Sequence, residues 1–120
     1  MPEAAADGAG PAEYGGVVGS VAPEEIRRVI RSHTSEIRGC LEQHREIHSH
    51  ERGKITLNWR IMPDGSVSNV SVARAGTTMC RALADCFARR VRTFKFPEPT
   101  TGEAAMVEYP WTLRIGTDGP

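Results

Sequence analysis

A helical pattern of apolar side chains dominates the chain between residues 20 and 45. Apolar and semi-polar positions recur there at spacings of three and four, which places them on one stripe of a helix. Ser20 is a possible N-cap, and Pro23 is tolerated in a first helical turn. The pattern predicts one continuous first helix that frays between Gln43 and His50. Its stripe consists of Ile26, Val29, Ile30, His33, Ile37, Cys40, Leu41 and His44.

A hairpin follows this helix. The run from Lys54 to Met62 alternates apolar and polar residues, which is the pattern of a half-buried strand. Pro63-Asp64-Gly65 is a turn signal, so Ser66 to Ala75 is predicted to return as the second strand. The phase of this return slips after Val67, which predicts a β-bulge near Ser68-Asn69.

A second helix and a third strand complete the pattern. The helix is predicted to start near Thr77 or Thr78 and to end before Phe96-Pro97-Glu98-Pro99, since proline cannot continue a helix. The run from Ala105 to Ile115 then alternates as a strand. Because Pro110 lies inside that strand and lacks an N–H, the strand must lie at a sheet edge or carry a bulge. The stripe of the helix consists of Met79, Leu83, Cys86, Phe87 and Val91.

The element order α-β-β-α-β defines the predicted fold class. It is α+β, with a three-stranded antiparallel sheet and two helices packed on one face. Residues 1–20 are acidic and rich in Pro, Gly and Ala, and such a stretch cannot bury enough apolar surface to offset its ordering entropy. We therefore expect a flexible linker over 1–20, an ordered domain over 21–116 and a disordered tail over 117–120.

Composition and charge narrow the class of protein. The 120 residues suit one domain and rule out a large multidomain enzyme. The balance of 15 Lys+Arg against 15 Asp+Glu argues against a strongly basic nucleic-acid module, although residues 1–25 carry acids and no bases and the remainder is correspondingly basic. The sequence has no apolar run of about 18 residues that would span a membrane, and no signal peptide is visible.

The sequence contains few candidates for chemistry. His44 and His48 are four residues apart, a spacing that can hold a metal on a helix, and His50 follows. The helix is predicted to fray there, however, so we expect a solvated polar end and no metal site. The sequence shows no nucleophile–base pair, glycine-rich phosphate loop or carboxylate dyad. We therefore expect neither enzyme activity nor a cofactor.

A basic cluster lies at the end of the second helix, where it consists of Arg89, Arg90, Arg92 and Lys95. Such charges stabilise a helix C-terminus on a solvated face. They could also attract an acidic partner segment or phospholipid. RNA binding is the weaker alternative, because an aromatic pair on adjacent central strands is not evident, and we predict no nucleic-acid partner.

The three cysteines allow more than one arrangement. Cys40 and Cys86 lie on the apolar stripes of the two helices, so they could form a disulfide or remain two buried thiols. A bridge would close a loop of about 46 residues and contribute about 3–4 kcal/mol in the chain-entropy model. Cys80 is expected to point away from Cys86 on the helix, although it could replace Cys86 as the partner of Cys40.

Four segments together resemble the C-terminal domain of TonB-family proteins, most closely the AgmX/PglI branch from gliding bacteria. They are IRRVIRSHTSEIRGCLEQ, GKITLNWRIMPDGSVSNVSVARAG, LADCFARRVRTFKFPEP and VEYPWTL, and they cover about residues 24 to 115. The resemblance implies that the cysteines of the family match Cys40 and Cys86, which favours their disulfide. An oxidising compartment such as the periplasm would permit it.

The resemblance also implies a function. Members of the family couple an inner-membrane, proton-driven motor to outer-membrane partners through a membrane helix and a Pro-rich spacer. This chain would be the distal periplasmic domain, linked to the motor by an upstream region that anchors the full-length protein in the inner membrane. We expect a role in gliding-motility machinery, with nutrient uptake as the other service of the family. A cell-wall or scaffold-binding module that transmits no force is the alternative.

The third strand is the predicted partner-binding site. TonB-like domains capture a short peptide beside this strand, so the resemblance implies that an outer-membrane or periplasmic segment adds here by β-augmentation. Glu108, Thr112 and Arg114 would discriminate between partners, while Pro110 removes one donor. Alternatively, the strand only completes the sheet, or the same edge pairs with a second copy to form a homodimer. The candidate contacts are Val107, Glu108, Tyr109, Trp111, Thr112 and Arg114.

Overall fold

The computed structural model describes residues 16–18, 21–44 and 52–114. Four strands form one antiparallel sheet in the order β1-β4-β2-β3, and three helices accompany it. The α+β class and the antiparallel pairing of the three predicted strands are confirmed. The elements are β1 (Gly16–Val18), α1 (Pro23–Ser32), α2 (Thr34–Gln43), β2 (Arg52–Ile61), β3 (Val67–Val72), a 3-10 turn (Arg74–Gly76), α3 (Arg81–Val91) and β4 (Ala105–Arg114).

The first helix is interrupted, so the prediction of one continuous helix is wrong. His33 leaves helical geometry with φ −110° and ψ 22°, and it separates two helices of ten residues each. The hydroxyls beside it take backbone carbonyls that would otherwise serve the helix: Ser32 Oγ donates to Val29 O at 2.6 Å and Thr34 Oγ1 to Arg31 O at 2.7 Å. The buried stripe continues across the break through Ile30 and Ile37.

The hairpin and its bulge form where the sequence predicts them. The turn is closed by Gly65, whose φ of +90° suits glycine and whose hydrogen atoms face the Phe96 carbonyl. The β2–β3 register shifts between Asn58 and Arg60, and Asn69 in the opposite strand has a φ of 57°. The β-bulge predicted near Ser68-Asn69 is thereby confirmed.

Helices and sheet enclose an aromatic core that is closed by a disulfide. Trp111 lies edge-on to Phe87 with ring centroids 5.3 Å apart. The Cys40–Cys86 disulfide joins α2 to α3 across a sequence separation of 46 residues, with a Cα–Cα distance of 5.8 Å. This pairing is the one that the resemblance implied, and Cys80 lies outside it.

One strand occurs where a linker was expected. Gly16–Val18 pair with β4 as β1, although the sequence places them within the linker of residues 1–20. A strand this short shows no alternation, and its pairing depends on a partner some ninety residues away, so periodicity could not predict it. The remaining linker, residues 45–50 with His48 and His50, and the tail 117–120 lie outside the described residues.

Candidate protein-binding site

The hydrogen bonds of Thr56 reveal which way the main chain of β4 faces. The Thr56 N–H donates to Thr77 Oγ1 at 3.0 Å, and its carbonyl accepts from the Ala73 N–H at 2.8 Å. Both groups therefore point away from β4, although Thr56 is the register partner of Pro110. In an antiparallel ladder this makes Thr56–Pro110 a non-hydrogen-bonded pair. Pro110 thus removes no bond between β4 and β2, and its missing donor faces the outer side of the sheet.

The outer side of β4 is covered over only part of its length in the described structure. The N–H and carbonyl groups of successive residues point to opposite sides of a strand. Those of the even-numbered residues of β4 therefore point away from β2, to the outer side of the strand. β1 covers the first of them, with Val18 opposite Met106 and Gly16 opposite Glu108. Among residues 16–18, 21–44 and 52–114, no strand lies beyond the stretch Pro110–Arg114, which we call the open edge. It presents the Pro110 carbonyl and both main-chain groups of Thr112.

The side chains of β4 separate into two sets. Glu108 and Thr112 are exposed, and so is Met106 with 49% of its surface accessible. Pro110 is buried beside Thr56. The opposite set faces the core, where Tyr109 and Trp111 lie 4.9 Å apart between ring centroids. This buried set consists of Val107, Tyr109, Trp111 and Leu113.

The predicted contacts therefore differ in what they can offer a partner. Thr112 presents outward main-chain groups and an exposed side chain, and Arg114 continues the same main-chain phase. Glu108 offers an exposed side chain, because β1 already covers its main chain. Val107, Tyr109 and Trp111 have buried side chains and main-chain groups that face β2. Their packing fixes the position of the open edge, because the aromatic rings hold the inner face of β4 against the helices.

The four residues of the predicted basic cluster have different surroundings. Arg89 is exposed, while Arg90 is half-buried and its Nε atom is buried with no hydrogen-bond partner in the described part of the chain. Arg92 lines a groove between α3 and β3. Lys95 pairs with Ser66 in an isolated bridge beside the hairpin turn. The structure brings Arg92 together with other arginines that the sequence analysis did not single out, described below.

The described histidines have structural contacts. His33 stacks on Phe94 with ring centroids 3.9 Å apart, and its Nδ1 lies 2.6 Å from Glu36 Oε1. His44 Nδ1 lies 2.9 Å from the Cys40 carbonyl oxygen. Within the described ranges no three His, Cys, Asp or Glu side chains are grouped so that they could hold a metal. None of the helices described is long and apolar enough to cross a membrane.

Comparison with known proteins gives one structural likeness. No family model matches the chain, and no curated protein matches it. The chain is similar to the solution structure of the Helicobacter pylori TonB C-terminal domain, residues 179–285, with 17% sequence identity and a TM-score of 0.47. The match covers 83% of this chain and 100% of that one. The fold class stands on the strand order and helix packing described above.

Proposed function

We propose that this chain is the periplasmic protein-interaction domain of a TonB-like, envelope-spanning protein. It captures an extended segment of an outer-membrane or periplasmic partner by strand addition at the open edge of β4. The observation that carries this proposal is the outward direction of the Thr112 N–H and carbonyl, with no described strand to pair them. Unpaired main-chain groups of this kind are a template for another strand.

At the open edge, main-chain hydrogen bonds would provide affinity and exposed side chains would provide selectivity. Each main-chain bond contributes roughly 1 kcal/mol net, and the Pro110 carbonyl can accept although its nitrogen cannot donate. Thr112 and Glu108 lie exposed on the same face of β4, so they can select among partners. Affinity would thus be shared among several weak bonds, while the polar side chains supply the discrimination.

The architecture behind the open edge suits the transmission of force. β4 pairs with β2 along ten positions, from Arg52 opposite Arg114 to Ile61 opposite Ala105. A force applied to an added strand would be distributed over the hydrogen bonds between β4 and β2 and over the contacts of the aromatic core. Together with the resemblance to the AgmX/PglI branch, this supports the proposal of gliding-motility machinery, in which an upstream region connects the domain to a motor.

Titration with candidate peptides tests the proposal. Extended periplasmic segments of outer-membrane proteins from the same organism are synthesised and added to the ¹⁵N-labelled chain. We expect the amide shifts to concentrate at Thr112 and Arg114. Thr112→Pro removes the outward donor and should abolish binding, whereas Thr112→Val keeps the main chain and should retain it. Shifts confined to the helices, or equal binding by both variants, would contradict the proposal.

A further inference from the structure

A groove of about 610 Å³ lies at the opposite side of the sheet, between α3 and the edge strand β3. Ala84 and Ala88, one helical turn apart on α3, are buried at its base, and their short side chains leave the space open. Val70 and Val72 on β3 line the groove and are half-buried. An apolar side chain of a partner could therefore gain burial here, at about 25 cal/mol for each Å² removed from water.

The main chain of β3 faces outward beside this groove. The Ala73 N–H bonds to the Thr56 carbonyl at 2.8 Å, which directs Ala73 toward β2. Val72 is the register partner of Leu57, one position along, so its own main-chain groups point to the outer side. In the described part of the chain β3 ends the sheet, and no strand pairs with Val72 from outside. The groove therefore adjoins a second edge at which a strand can add.

The rim of the groove is positively charged. Arg74, Arg81 and Arg92 line it, together with one acid, Asp85. Asp85 is already engaged, because its Oδ1 lies 3.1 Å from Arg81 Nε. Arg74 and Arg92 are exposed and have no acidic partner among residues 16–18, 21–44 and 52–114. The surplus of positive charge favours an occupant that carries carboxylates.

We infer that the groove binds an extended peptide of a partner protein in which every second residue points into the groove, and in which these groove-facing residues are in part apolar and in part acidic. Its main chain pairs with Val72, its apolar side chains cover Ala84 and Ala88, and its carboxylates face Arg74 and Arg92. Because successive side chains of a strand point to opposite faces, the apolar and acidic residues take every second position, and the residues between them face away from the groove. This surface lies across the sheet from the open edge, so it goes beyond the proposed function and does not depend on it.

A charge-matched peptide pair tests the inference. The probe is a synthetic peptide in which Val and Glu follow each other at every second position with Ser between them, and its counterpart has Lys in place of Glu. We expect the acidic peptide to shift the amides of Val72, Ala84 and Ala88 in the ¹⁵N-labelled chain, and the basic peptide to leave them unchanged. Equal shifts with both peptides, or shifts centred on Thr112, would overturn the inference.

Two pairs of variants locate the binding energy. Arg74→Glu with Arg92→Glu should weaken the acidic peptide about five-fold at low salt, as expected for two exposed ion pairs. Arg28→Glu with Arg38→Glu makes the same change of charge at exposed positions that do not line the groove, and should alter affinity less than about two-fold. An equal loss from both pairs would reject the site in favour of net charge alone.

A proline on each edge separates this site from the one in β4. Val72→Pro removes the outward donor of β3 while leaving its bonds to β2, and it should abolish binding of the acidic peptide. Thr112→Pro makes the same change on β4 and should leave that binding intact. The reverse result would assign the peptide to the open edge and overturn the groove. Because the arginine variants alter only exposed side chains, the inference stays testable if Val72→Pro fails to fold.

Discussion

The sheet exposes main-chain groups at two places, the open edge of β4 and the outer side of β3, and the surroundings of the two places differ. At the open edge of β4, aromatic side chains fill the space behind the strand, so a partner meets main chain and a few polar side chains. At β3, the alanines of α3 leave a groove behind the strand, so a partner can also bury apolar side chains. The residues behind a strand, and not the strand alone, thus decide what kind of segment its edge can hold.

The largest expected difference between the two edges comes from removing the disulfide, which should destabilise the groove beside β3 more than the open edge of β4. Cys40→Ser with Cys86→Ser frees α3 from α2 and should lower the free energy of unfolding by about 4 kcal/mol in the chain-entropy model. Since α3 forms one wall of the groove, its amides should lose hydrogen-exchange protection before those of β4. Cys80→Ser, which leaves the disulfide intact, should change stability little. An equal loss of hydrogen-exchange protection in α3 and β4 would show that the groove and the open edge unfold together.

The hairpin turn should affect β3 more than β4. A Cβ at Gly65 would lie 2.3 Å from the Phe96 carbonyl oxygen at a φ of +90°. We expect Gly65→Ala to cost about 2–3 kcal/mol in denaturant unfolding, from the positive φ and the clash. Gly102 is the control, because its φ is +81° but, apart from its chain neighbours, no other described residue lies within 4 Å of the position that a Cβ would take. Gly102→Ala should therefore cost about 1 kcal/mol. Similar costs would mean that the Phe96 contact relaxes.

Removing β1 should lengthen the open edge. A chain that begins at residue 19 exposes the outward groups of Met106 and Glu108, which β1 otherwise pairs. Stability should fall by no more than about 1 kcal/mol, because a three-residue strand contributes few bonds. Peptides that bind β4 should then bind more tightly, while the acidic peptide at β3 should be unaffected. Calorimetric titration of both peptides checks this, and weaker binding at β4 would show that β1 supports the site.

The smallest expected effect is a pH-dependent one at the hairpin turn. The Ser66 hydroxyl donates to Asp64 Oδ1 at 2.7 Å and the Ser66 N–H donates at 3.0 Å, which lowers the pKa of Asp64 below 3.8. Because the folded pKa is the lower one, the stabilisation is present above pH 3.8 and is lost as the pH falls through the folded pKa.

Asp64→Ala should therefore lower the denaturation midpoint slightly at pH 7 and by less at pH 2. Glu98→Ala, at another exposed acid, is the control and should change neither value. Urea unfolding of the three chains at both pH values measures the difference. A loss from Asp64→Ala that is equal at pH 7 and pH 2 would contradict a contribution from the ionised carboxylate.

The sequence predicted those helices, strands and turns that depend only on the pattern of neighbouring residues. The alternation of apolar and polar residues shifts by one position after Val67, and this shift indicated the bulge at Asn69. A regular strand places every second side chain on the same face, so an extra residue changes the alternation. The break at His33 was missed because the apolar stripe continues through it. The neighbouring Ser32 and Thr34 were the available signal, because their hydroxyls compete for helix carbonyls.

Features that depend on distant residues could not be predicted. The sequence showed that Pro110 lacks a donor, but the direction of its nitrogen depends on the register with Thr56, which Ala73 and Thr77 fix from outside the strand. The groove was missed because apolar stripes emphasise large side chains, whereas Ala84 and Ala88 create space by being small. The outward main chain of β3, Arg74 in the 3-10 turn and Arg92 at the end of α3 complete that site from three separate parts of the chain.

Pro110 also bears on the solubility of the chain. An edge with continuous donors and acceptors can recruit copy after copy into a growing fibre. Here the stretch that β1 covers stops at Glu108, and the next outward position is a proline that cannot donate. A strand long enough to cross that position leaves one of its own carbonyls without a partner. Pro110 therefore reduces the number of main-chain bonds open to a partner strand and, for the same reason, disfavours open-ended polymerisation.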